Sequence, residues 1–403
     1  MSIKIREDLI YVGGNDEKLS SFDNMYSLPK GMSFNAYLIK DDKNILISTI
    51  EKGEGDIKYY DADPQVSRDF ISRIKEELNG ETLDYLIAQH LEPDHSGSIE
   101  DIIKEFKDVK IVTSSMGKNF LKALSPNIPD DSILVGGPNL NIQTANHSLK
   151  FIPAPLVHWP DVLFVYDEKT GDLYSSDAFG TFGKNEHLFA DEYNQDEEFF
   201  SEMRRYYTNI VGKFGTNVIS ALNNVSKLNI STILPLHGPI WRKDFDKIIS
   251  KYTSWASYTP EDNSFMVVTG SIYGHTAKAA EALKKFIPGG KYFDASKTNI
   301  SYLVSEAFKV KTIVIASITH EGEIFPPIED FLIRLTHLGL KGRNFAIIEN
   351  GLWLPTAGKK IKEYIEKIPS STLIEPIITI KGSLKEEQNK DLDLLASKIK
   401  ETF

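Results

Sequence analysis

The chain has 403 residues, a formal net charge of −11 and no cysteine. Its length suits two or three domains of roughly 100 to 200 residues, and its charge argues against nucleic acid or an anionic membrane surface as partner. Without cysteine, disulfides, thiolate nucleophiles and cysteine-held zinc or iron–sulfur clusters are excluded.

No apolar run approaches the roughly 20 residues of a membrane span, and residues 1–12 are too polar for a secretory signal. A cytoplasmic protein is expected. In chain order, residues 3–12, 34–40 and 44–50 read as strands separated by Gly13-Gly14 and Asp41-Asp42-Lys43. A helix is predicted over 64–78, a buried strand over 83–88, a helix over 98–106 and a strand over 110–113. Short strands follow in 132–160 and 172–176. Residues 191–226 are mostly helical, with Gly212 and Gly215 as breaks. A strand over 231–236 and a helix to about residue 252 complete the first half.

The polar, proline-containing stretch 258–263 marks a boundary, so the expected domains are 1–257 and 258–403. Beyond it, apolar strands at 265–269, 312–316 and 344–348 alternate with helices at 276–286, 328–338 and 384–402. That pattern predicts an α/β domain with a doubly wound parallel sheet, whose ligands bind beyond the carboxyl ends of the strands.

Four positions in the first domain carry the chemistry. His90, Glu92, Asp94 and His95 crowd four possible ligands into six residues directly after a predicted strand. His158, Asp177 and His237 each follow a predicted strand as well. Singly, each reads as readily as a loop or core residue; jointly, that reading needs the same coincidence four times. Imidazole mixed with carboxylate suits iron, zinc or manganese. His147 is a rival for His158, but no tryptophan follows it.

With these residues the chain resembles the flavodiiron proteins, in which a metallo-β-lactamase-like αββα sandwich precedes a flavodoxin-like domain. The family pattern H-x-E-x-D-H stands as His90, Glu92, Asp94 and His95, and continues through His158-Trp159-Pro160-Asp161, Asp177 and His237. The resemblance implies one iron on His90, Glu92 and His158, a second on Asp94, His95 and His237, and Asp177 bridging them. Related zinc hydrolases carry histidine in place of Glu92. With Glu92, Asp94 and Asp177 the site has three anionic side chains, and negative charge favours the ferric state. Tyr193 is a candidate hydrogen-bond donor near the iron, with helix packing as its alternative.

In the second domain, Ser271, Ile272, Tyr273, Gly274, His275 and Thr276 lie between a strand and a helix, where amides and hydroxyls can converge on a phosphate. A plain strand-to-helix turn is the other reading. The stretch resembles the FMN phosphate loop of flavodoxins. Two further loops fit: Ser317, Ile318, Thr319, His320 and Gly322 after the next strand, and Asn350, Gly351, Leu352 and Trp353 after the one following. Trp353 can stack on a flavin ring or serve as a core or interface aromatic. Ile318 replaces a common proline and Leu352 a usual glycine.

The resemblance implies a reductase passing electrons from FMN to a diiron site that reduces dioxygen, nitric oxide or both. It also implies a head-to-tail homodimer or dimer of dimers, with the FMN of one chain facing the diiron site of the other. Lacking cysteine, the chain cannot carry a rubredoxin centre, so a separate rubredoxin or flavin reductase is the expected donor. The alternatives are a dinuclear zinc hydrolase fused to a flavodoxin-like domain and a flavin-binding electron carrier without metal.

Overall fold

A computed structural model describes residues 2–53 and 61–403. The chain forms two compact units, the first of Met1–Tyr207 and Thr216–Thr253, the second of Thr208–Gly215 and Ser254–Phe403.

The first unit is built on two sheets. The larger runs in hydrogen-bonded order Ile3–Arg6, Leu9–Tyr11, Tyr37–Ile39, Ile45–Ile47, Tyr85–Ile87, Lys110–Thr113, Ile133–Val135. The smaller runs Asn141–Gln143, Ser148–Pro153, Leu163–Asp167, Asp172–Tyr174, Thr232–Leu234. Ile47, Ile87 and Val112 of one sheet share a core with Leu149, Phe151, Leu163, Tyr174 and Leu234 of the other. The strands before the candidate ligands are short and fully or largely buried, which is why they read as apolar runs. Helix Pro64–Leu78 shows its signals openly: Asp63 caps it by accepting from the Gln65 N–H, Pro64 opens it, and Phe70, Ile74 and Leu78 bury one face.

The second unit has five parallel strands in the order Lys291–Asp294, Phe265–Gly270, Thr312–His320, Asn344–Asn350, Thr372–Ile380. In chain sequence that order is 2-1-3-4-5, the doubly wound arrangement of flavodoxins, whose switch point lies between the first and third strands. Two cores flank the sheet.

Arg343 ties this unit together. It is fully buried, and its guanidinium donates to the carbonyls of Ala307 (3.1 Å), Phe308 (2.7 Å), Lys341 (2.9 Å) and Tyr258 (2.7 Å). It thereby caps the carboxyl end of helix Ile300–Lys309 and fastens the chain at Tyr258. Burial alone pulls its pKa down to about 10, still charged at neutral pH. Arg343→Met is expected to orphan these carbonyls and destabilise the second unit by roughly 2–4 kcal/mol. The readout is the urea midpoint; an unchanged midpoint would contradict this role.

Several elements differ from expectation. Helix Ser115–Leu124 went unanticipated, although Ser114 caps it through the Gly117 N–H. Strand Thr372–Ile380 went unanticipated too. It contains Pro376, which punctuates the pattern, and it forms a sheet edge, where a proline is tolerated. The predicted loop after residue 316 is largely strand: Thr312–His320 continues and folds back through Glu321 and Gly322 onto Glu323–Ile324. The helical region 191–226 breaks between Tyr207 and Phe214, where the expected Gly212 lies; Gly215 instead opens the following helix.

Candidate metal centre

His90 leaves strand Tyr85–Ile87 through Gln89, whose buried amide donates to the carbonyls of Leu163 (2.9 Å) and Tyr174 (2.8 Å). Those two bonds pin the start of the loop to the smaller sheet. Pro93 then opens the short helix Pro93–Ser96, which carries Asp94 and His95 inward, both buried. Asp177 follows Asp172–Tyr174, and His237 follows Thr232–Leu234.

The seven side chains form two groups. Ligand atoms of His90, Glu92, His158 and Asp177 lie within 4.8 Å of one another, as do those of Asp94, His95 and His237. In the first, Glu92 Oε2 is 3.1 Å from His90 Nε2 and 3.0 Å from His158 Nε2. In the second, Asp94 Oδ2 is 3.2 Å from His95 Nε2 and 3.1 Å from His237 Nε2. Asp177 serves both: Oδ2 faces His90 (3.4 Å) and His158 (3.5 Å), whereas Oδ1 faces His95 (3.0 Å) and His237 (3.8 Å). One carboxylate with an oxygen turned to each group is the geometry of a bridge.

The remaining ring nitrogens orient the imidazoles. His237 Nδ1 donates to the Ser33 carbonyl at 2.6 Å. His90 Nδ1 faces Asp161 Oδ1 at 3.3 Å, while Asp161 Oδ2 accepts from the Leu91 N–H at 2.8 Å. Both rings thus keep Nε2 for the centre. Asp161 is fully buried.

The donor set fits two metal ions. Three carboxylates and four imidazoles share a buried site, and Asp94 Oδ1 and Asp177 Oδ2 have no hydrogen-bond partner among the described residues. Without cations the charges compromise. Burial, reinforced by Glu92 and Asp177 and opposed by His95, pushes Asp94 up to about 7. Burial also opposes ionisation of Glu92, but His158 and His90 outweigh it and hold Glu92 at about 2. For His158, burial is overcome by Asp177 and Glu92, raising it to about 9. A metal-free site therefore holds protons at pH 7 that metal must displace. Metal uptake at that pH is expected to release protons, and affinity to fall as pH falls below 9. Indicator-dye titration checks it; uptake without proton release would contradict it.

His147, the rival of His158, lies elsewhere: its Nδ1 is 2.6 Å from Asp167 and its Nε2 is 3.3 Å from Asp8. Tyr193 spends its hydroxyl on a loop, accepting from the Glu186 and His187 N–H groups and donating to the His187 carbonyl. The tyrosine beside the centre is instead Tyr206. It is fully buried, its ring is 5.6 Å from that of His237, and its hydroxyl has no partner among the described residues.

The second unit's loops divide in the same way. Thr276 is buried with its hydroxyl unpartnered, as is the buried hydroxyl of Ser271. Gly274, at φ 86, has open space where a Cβ would stand. Two orphaned hydroxyls at the start of helix His275–Ala282 fit a phosphate. Ile272, Tyr273, Leu352 and Trp353 are exposed, the last by 81%. Other residues are engaged within the protein. The Thr319 hydroxyl accepts from the Thr356 and Ala357 N–H groups, and the Asn350 side chain pairs with the Gly382 backbone. Ser317 donates to the Ile318 carbonyl, His275 contacts Ser383, His320 packs on Phe325, and the Gly351 N–H bonds to Ile380.

Fold and site together define a protein with a dinuclear metal-binding, β-lactamase-like domain followed by a flavodoxin-like one. The ODP family beta lactamase model matches residues 32–238, just over half of the chain, and the chain belongs to that family. It is 29% identical over 361 residues to the anaerobic nitric oxide reductase flavorubredoxin of Aeromonas hydrophila, covering 85% of this chain and 68% of that one. Its fold matches rubredoxin oxygen:oxidoreductase of Desulfovibrio gigas with a TM-score of 0.90 at 21% identity, covering 100% and 99% of the two chains. The flavodiiron protein of Giardia intestinalis matches with a TM-score of 0.90 at 23% identity, over 100% and 97%. The fold is thus that of the flavodiiron proteins.

Proposed function

We propose that the chain is a flavodiiron reductase that takes electrons through FMN and reduces dioxygen to water, nitric oxide to nitrous oxide, or both. The observation that carries the reading is the carboxylate Glu92 inside a two-group site bridged by Asp177. His90, Glu92 and His158 would hold one iron, Asp94, His95 and His237 the other, and Asp177 both. Held there, a pair of irons would supply one-electron redox chemistry, which a redox-inert zinc pair could not. The chain's own part is to hold the seven side chains in a largely buried pocket, orient His90 through Asp161 and His237 through Ser33, and keep bulk water from the reacting gas. Ser271 and Thr276 would bind the FMN phosphate, and exposed Trp353 would cover the flavin ring.

Both reductions consume protons: four per dioxygen with four electrons, two per pair of nitric oxide molecules with two. Tyr206, buried beside His237, is available as a hydrogen-bond donor there. The donor would be a rubredoxin or flavin reductase, since residues 1–403 hold no cysteine for a rubredoxin centre of their own. A head-to-tail homodimer belongs to the same reading. No described helix is long and apolar enough to cross a membrane.

Turnover with each gas, added separately to degassed protein and a chemically reduced donor, tests the function. Consumption of either gas that depends on both iron and FMN supports it; phosphodiester or lactam hydrolysis with zinc and no gas consumption would overturn it. Mixed dimers of His90→Asn and Gly274→Asp chains test the assembly. Activity that persists on dilution supports transfer between chains, and an inactive mixed dimer holding both cofactors would exclude it.

A further inference from the structure

One cavity takes no part in the metal centre or the flavin loops. It lies in the first unit, with a volume of about 380 Å³, within the range of small-molecule sites. Phe182, Tyr193 and Phe199 line it; the Tyr193 and Phe199 rings are 5.3 Å apart, and His187 stands edge-on to Tyr193 at 5.2 Å.

Five carboxylates and two lysines line the cavity, so its charge is negative although most of these carboxylates are paired, Glu192 with Arg242 at 3.4 Å among them. Glu202 is paired with Arg205, and Lys30 meets Glu198 in a pair exposed by 58% and 77%. Lys184 turns to Glu17, which does not line the cavity. Glu186 has no ion pair among the described residues. A second observation points the same way. Neighbouring rings already carry cations, Arg242 over Phe189 at 3.8 Å and Lys247 over Phe200 at 4.9 Å. Among the described residues, none stands over Tyr193 or Phe199. Electron-rich ring faces beside Glu186 and Asp196, the lining carboxylates without an ion pair among the described residues, recognise a cation with an apolar body, and they repel an anion.

We propose that this cavity binds a small organic ammonium ion, a linear aliphatic amine whose methylenes lie on Tyr193 and Phe199 and whose charged end meets Glu186. The occupant would sit two ring contacts from the metal centre, because Phe182 packs on Tyr206 at 5.2 Å and Tyr206 on His237 at 5.6 Å. The inference does not depend on which metal the centre holds.

Calorimetric titration of the metal-loaded full chain with spermidine, at fixed ionic strength, tests it. One saturable site per chain is expected, with glutarate giving no binding. Glu186→Gln and Phe199→Leu should each weaken spermidine by about fivefold while metal content and melting temperature stay unchanged. If Phe199→Leu does not fold, Glu186→Gln decides alone, since Glu186 is exposed and its side chain has no hydrogen bond or ion pair among the described residues. No saturation by about 10 mM spermidine, equal binding of glutarate, or unchanged affinity in the folded variants would overturn the proposal.

Discussion

Glu92→His is expected to lower iron content and to reduce gas consumption by roughly 100-fold, the upper end of what replacing groups that merely support metal ligands costs, while urea stability changes little. Glu92 Oε2 sits between His90 Nε2 and His158 Nε2 at 3.1 and 3.0 Å, and those neighbours hold it ionised down to about pH 2. A neutral ring there removes one of three negative charges and leaves a third imidazole beside His90 and His158. Such a group suits zinc as well as iron and favours the ferric state less. Full iron content with full gas consumption in the variant would remove Glu92 from its assigned role.

The second large effect is expected at the candidate phosphate loop. Thr276→Val keeps the shape of a fully buried side chain but removes the hydroxyl that has no partner among the described residues. The lost hydrogen bond is to a charged group, worth about 1.5–3 kcal/mol, so FMN should bind roughly 10- to 100-fold more weakly. Riboflavin, lacking the phosphate, should be unaffected. This variant is cleaner than Gly274→Asp, which adds backbone strain at φ 86 to the intended repulsion. Fluorescence titration of the flavin-free protein separates the cases; equal losses for FMN and riboflavin would place Thr276 away from the phosphate.

The candidate metal ligands were legible because four of them stand within six residues just after the largely buried strand Tyr85–Ile87, and Asp177 and His237 follow the buried strands Asp172–Tyr174 and Thr232–Leu234. Their supporting groups were not. Asp161, Gln89 and the Ser33 carbonyl reach the site through contacts distant in sequence, and a carboxylate or amide in a loop carries no mark of its partner. Tyrosine at 193 or at 206 reads alike as a helical-region aromatic; only the packing shows that Tyr206 faces His237 and Tyr193 faces a loop. The parallel sheet of the second unit could be read from its apolar central strands. Its edges could not, because Lys291–Asp294 is short and partly exposed and Pro376 interrupts Thr372–Ile380. Thr319 and Asn350 show a further limit: their place in loops after the strands suggested flavin contacts, but their hydrogen bonds to the Thr356 and Gly382 backbone could not be read from sequence.

Metal and flavin analysis of the purified full chain tests the central claim most directly. Two groups of candidate ligands and one candidate phosphate loop predict two irons and one FMN per chain, with flavin absorption in the visible spectrum. Two zinc ions per chain with no flavin, after expression in iron-replete medium, would contradict it.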